Sequence, residues 1–206
     1  MRVSEDRYTR DLRRIQLAKR LIEFNVRTAW ICAWTGFTVG RVRNLYRSYN
    51  YERIKRWRGP SPSRSLNFLR SPLLHSEASA IAGLAYCLGV IPAEPIADPK
   101  RMFATLEAAE RMVFVFDLYR RIVQGATMSM EQLILLVFVL AAQGDLELGR
   151  CEGCQGVLVV DRLGANRRRC PSCRKHGDLA SDLIEASGAA DPADDPANDD
   201  PQRSLF

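Results

Sequence analysis

Ile31-Cys32-Ala33-Trp34-Thr35-Gly36-Phe37-Thr38-Val39-Gly40-Arg41-Val42 reads as two short helices joined by a tight turn. Helices that cross steeply need a small residue at their contact, which Cys32 supplies, and a glycine at the turn, which Gly36 supplies. Thr38 suits the N-cap of the second helix, and Phe37, Val42 and Leu45 would fill the space between the two. The helices are expected over 28–34 and 39–49. Arg41, Arg43, Asn44 and Arg47 then stay on the outward side of the second one, able to grip phosphates or base edges in a major groove. A plain helical hairpin inside a core is the competing reading, because such patterns also arise by chance in helical proteins.

Working outward, residues 11–24 place Leu12, Ile15, Leu17, Ala18, Leu21 and Ile22 at helical intervals with Arg and Lys on the other side. On the far side, residues 51–58 interleave Arg53, Lys55, Arg56 and Arg58 with Tyr51 and Trp57. That interleaving suits backbone contacts to nucleic acid, although Ile54 and Trp57 read equally as packing residues. Gly59-Pro60-Ser61-Pro62-Ser63 breaks the pattern. A basic helix-turn-helix-like region over 1–58 followed by a linker over 59–75 is the expected organisation.

Small residues from 76 to 89 (Ala78, Ala80, Ala82, Gly83, Ala85) permit a tightly packed helix, and Pro92, Pro95 and Pro99 mark a connection. Longer helices are expected over 106–123, with a wide apolar face, and over 130–143, apolar almost all round. The second of these must be buried, inside this chain or against a partner. Together they form a helical core and partner-contact region over 76–148.

The densest chemistry comes later. Cys151-Glu-Gly-Cys154 and Cys170-Pro-Ser-Cys173 have the spacing of a four-sulfur zinc site, and residues 157–160 between them suit a strand. Two disulfides, free thiols or a redox pair are the alternatives, but a redox site would leave one pair unexplained. Cys151, Cys154, Cys170 and Cys173 are therefore the expected ligands of one structural Zn2+ ion in a knuckle over 149–176. Four protein ligands leave no open coordination position, so no metal-activated water is implied. Cys32 and Cys87 stand alone in apolar surroundings and read as small buried residues.

Charge is segregated along the chain. Residues 1–75 carry 17 Lys or Arg against 5 Asp or Glu, and the knuckle carries Arg167, Arg168 and Arg169 just before Cys170. Residues 177–206 carry 8 acidic side chains against 1 basic and repeat Ala, Asp and Pro, the composition of a disordered acidic tail. A basic surface on two separate segments points to a polyanion, and nucleic acid is the usual one. The 47% hydrophobic content supports a sizeable core. The charged first dozen residues do not look like a secretion signal, and the longest apolar run, 133–142, is far short of the roughly twenty residues of a spanning helix. A cytoplasmic protein with no membrane partner is expected.

These parts in this order resemble the FlhC family of flagellar transcriptional activator subunits. The likeness is carried by Arg14-Ile15-Gln16-Leu17-Ala18 with Leu21-Ile22, by Gly40-Arg41 and Leu45-Tyr46, by Arg58-Gly59 with Pro60 and Pro62, and by the cysteine pairs. The resemblance implies a mainly α, zinc-binding transcription regulator that assembles with an FlhD-like protein in a hetero-oligomer. It also implies binding to promoter DNA and activation of flagellar operons through RNA polymerase. Trp30, Trp34 and the Arg-rich 53–58 depart from the family pattern. An RNA-binding or polymerase-associated zinc ribbon without promoter specificity is the alternative, with Arg167 to Arg169 as its contact. No carboxylate pair, Ser-His-Asp set or phosphate-binding glycine loop suggests an enzyme.

Overall fold

A run free of glycine and proline builds α1 (Val3–Glu23), which begins well before the periodicity at residue 11. The computed structural model describes residues 3–49, 62–164 and 168–175. Leu17, Ala18, Leu21 and Ile22 form the buried stripe of α1, and Asn25, at φ 56°, turns the chain out of it. α2 (Thr28–Thr35) stops at Gly36, whose φ of 69° is the left-handed conformation that a glycine adopts without strain. α3 (Val39–Ser48) starts at Thr38, whose Oγ1 accepts from the Arg41 N–H at 3.3 Å. Phe37 and Val42 are buried between the helices and Leu45 is half-buried, as the spacing predicts.

The expected linker is only partly one. In its described portion, 62–75, residues Ser65–Leu69 make a 3-10 turn that buries Phe68 at 2% exposure. α4 (Pro72–Cys87) then begins ahead of the expected residue 76, because Ser71 caps it through its side chain and Pro72 occupies the first helical turn. α5 (Pro99–Met102) and α6 (Leu106–Ile122) follow, and α7 (Met130–Ala141) opens on a capping box of Ser129 and Gln132. Met130, Leu133, Leu136 and Val137 of α7 are fully buried, so its apolar girth is covered inside this chain.

Arg13 bonds Glu110 and Arg20 bonds Asp117, both across 97 residues of sequence, so α1 and α6 lie side by side and run in the same direction. Trp30 and Trp34, 5.5 Å apart, join Phe138 and Phe103 in an aromatic cluster, and the Trp34 indole N–H donates to the Phe103 carbonyl at 2.8 Å. Both tryptophans belong to the packing of α2 onto the helical middle.

β1 (Leu146–Arg150) and β2 (Val157–Asp161) form an antiparallel hairpin with Leu148 opposite Val159. The chain divides into two compact units, Met1–Pro171 and Ser172–Phe206. Within the first, Leu17, Ile31, Leu133 and Val159 share one continuous hydrophobic cluster, so the helix-turn-helix-like part, the helical middle and the hairpin have a common core. Of the second, 172–175 are described and are helical. The expected acidic tail over 177–206 lies outside the described residues. Cys87 differs from expectation: it is exposed at the end of α4, where the last helical turn leaves the core, whereas Cys32 is half-buried against it.

Candidate metal centre

The hairpin exists to hold a turn. Beyond β1 the Cys151 N–H donates to the Gly156 carbonyl at 2.9 Å, and the Gln155 N–H returns to the Cys151 carbonyl at 2.8 Å. Closing so short a loop puts Gln155 at φ 60°. The Glu152 N–H donates to the Arg168 carbonyl at 2.7 Å, which draws the second cysteine pair toward the first. The sulfurs of Cys151, Cys154, Cys170 and Cys173 lie within 4.8 Å of one another.

That arrangement fits one metal ion. Cys154 Sγ and Cys170 Sγ are 3.8 Å apart, far too long for a disulfide and equal to the tetrahedral edge of about 3.8 Å that follows from a Zn–S bond of about 2.3 Å. The Cys151 thiol is brought down to about 6, first by the Cys154 N–H, then by the Cys170 N–H, which lies 3.2 Å from its sulfur, with burial opposing and the Gly153 N–H assisting. Backbone donors aimed at a buried sulfur stabilise a thiolate, which is the ligand form. Four sulfur donors are enough to fill the coordination sphere of one tetrahedral ion, and an ion held there would tie the two chain segments together.

The residues expected to touch nucleic acid fall into three groups. Arg41, Arg43, Asn44 and Arg47 are all exposed on α3, and the Arg41 guanidinium stacks 4.1 Å from the centroid of the Phe37 ring. Arg168 and Arg169 are exposed beside the second cysteine pair. Arg53, Lys55, Arg56, Arg58 and Arg167 lie outside the described residues. Part of the basic front is spent inside the molecule: Arg13, Arg20 and Arg27 pair with Glu110, Asp117 and Glu131. Those acidic side chains come from the middle region, where residues 76–150 carry 9 Asp or Glu against 6 Lys or Arg.

Sequence reasoning missed two positioning features. His75 and Ser79, one turn apart on the buried face of α4, bind the outer edge of β2. His75 Nε2 lies 2.7 Å from the Val159 carbonyl, and the Val159 N–H donates to Ser79 Oγ at 3.1 Å. Glu131 serves the start of α2, accepting from the Arg27 N–H at 3.0 Å and the Arg27 Nε at 3.1 Å. A buried polar pair four residues apart was the available signal for the first; the second depends on tertiary approach alone.

Among the described residues no helix is long and apolar enough to cross a membrane. No protein-family model matches the chain. No curated protein matches it either.

Proposed function

We propose that the protein is a DNA-binding transcriptional activator subunit of the FlhC type, stabilised by one structural zinc ion and without a catalytic step of its own. The observation that carries this reading is α3: a short, well-capped helix at the end of a tight turn, presenting Arg41, Arg43, Asn44 and Arg47 to solvent while Val42 and Phe37 anchor it. Side chains on a rigid helix hold register on a duplex better than side chains on a loop. Zinc suits the four-thiolate donor set, and its part is to brace a second basic segment at Arg168 and Arg169. Assembly with an FlhD-like protein and contact with RNA polymerase on flagellar promoters complete the proposal, which rests there on the resemblance.

Footprinting tests it. The purified chain, with and without an FlhD-like partner, should protect a discrete site on flagellar promoter DNA at physiological salt. Structured RNA competing as well as the specific duplex would favour an RNA-binding zinc ribbon instead.

A further inference from the structure

The two-stranded sheet has one covered edge and one open edge. The Arg162 N–H bonds the Asp145 carbonyl and the Cys151 N–H bonds the Gly156 carbonyl, which sets the hydrogen-bonded pairs at the odd-numbered residues of this segment. The N–H and C=O groups of Leu148 and Arg150 therefore point away from β2. On the opposite edge Val159 points outward in the same way, and there His75 and Ser79 bind both of its groups. No such cover exists for Leu148 and Arg150, whose main-chain groups have no partner on that side among the described residues.

This open edge borders a groove of about 400 Å³ lined by four consecutive β1 residues, 147–150. Ile91, Pro92, Leu140, Tyr86 and Val157 form its apolar walls. Tyr86 and Val157 are 49% and 44% exposed, so the groove leaves apolar surface in water next to unpaired main-chain groups. Arg150 is exposed at one end and makes no ion pair among the described residues.

We propose that this groove receives one extended peptide segment of a partner protein, which adds to β1 as a third strand. Strand addition supplies the main-chain partners that Leu148 and Arg150 lack, and pockets for alternate side chains supply selectivity. The walls decide against a second copy of the chain, since its β1 would bring its own 91–93 segment and α7 into the same space. Charge defines the rest of the segment: aliphatic side chains between Ile91, Leu140 and Val157, and a carboxylate opposite Arg150. Glu147, at the other end of the groove, disfavours a second acidic residue there. DNA binding by α3 plays no part in this groove, so either can fail without the other.

The probe is an acetylated, amidated heptapeptide of alternating valine and threonine with an aspartate at one end, titrated calorimetrically into the full zinc-loaded chain. Two further peptides carry N-methyl groups on the odd or on the even amides. The expected result is binding with Kd below about 1 mM, lost in one methylated peptide and retained in the other, because only one set of amides faces β1. Arg150→Glu should weaken binding about tenfold and shift preference to a peptide with lysine in place of aspartate. Leu148→Pro removes one outward N–H that the hairpin ladder does not use, and should weaken binding while zinc content and Tm show that the fold persists. Absence of binding up to about 1 mM, or equal binding of both methylated peptides, overturns the proposal.

Discussion

His75 Nε2 lies 2.7 Å from the carbonyl oxygen of Val159, inside the contact between α4 and β2. A carbonyl can only accept, so Nε2 carries the proton and donates. Ser79 receives the Val159 N–H and donates its own hydroxyl to the His75 carbonyl, so two side chains of one helix stand in for a neighbouring strand. The hairpin that positions the metal ligands is thereby fixed to the helical core. His75→Leu would strand a buried carbonyl, at a cost of about 1–3 kcal/mol. Thermal unfolding of the zinc-loaded chain should register that loss, while Ser76→Ala, on the exposed side of the same helix, should change stability by less than about 1 kcal/mol.

Cys154→Ser should abolish stoichiometric metal binding and loosen the knuckle while leaving the helices folded, because most of the shared core comes from residues of α1 to α7. Metal analysis and far-ultraviolet circular dichroism would separate these effects. Full helix loss in the variant would mean that the metal supports more of the molecule than its knuckle.

Two groups set opposite pH limits. The folded Cys151 thiol, near 6, sits below the ordinary thiol value of about 8.5, so its contribution is fully present above that value and is lost as pH falls through about 6. Zinc affinity should decline over the same window. Tyr119, fully buried with its hydroxyl oxygen accepting from the Met128 N–H, is pushed up to about 12, chiefly by burial. Its neutral form is favoured in the fold, so that contribution holds below about 10 and disappears as pH rises from there through about 12. Alkaline unfolding of Tyr119→Phe should lose this component.

Glu131→Ala removes two acceptors from Arg27 at the start of α2, one of them for a backbone N–H. The expected destabilisation is about 1–2 kcal/mol, more than the median surface ion pair because a helix-start donor loses its partner. Denaturant titration at low and high salt should show only part of the loss screened.

Much of this architecture was legible in the residues. The turn at Gly36, the cap at Thr38 and the buried Val42 follow from local chemistry that needs no tertiary information. The four cysteines were equally readable, since thiolate spacing encodes the metal geometry directly. The segment 59–75 misled because Pro62 and Ser63 look like a linker, while Phe68 and the Ser71-Pro72 helix start were the counter-signals. The internal use of Arg13, Arg20 and Arg27 could not be read at all, because their partners lie about a hundred residues away and only the packing of α1 on α6 and the approach of the α2 start to α7 bring them together.

The proposed grip on duplex DNA depends on the exposed arginines of α3. Its most direct test is the salt dependence of promoter binding by the zinc-loaded chain with its partner, compared with Arg43→Ala/Arg47→Ala. Affinity should fall steeply with salt, and the log–log slope should be shallower by about 2 in the double variant, about 0.9 for each lost phosphate contact. An affinity that stays flat with salt, or a slope unchanged by removing both arginines, would contradict it.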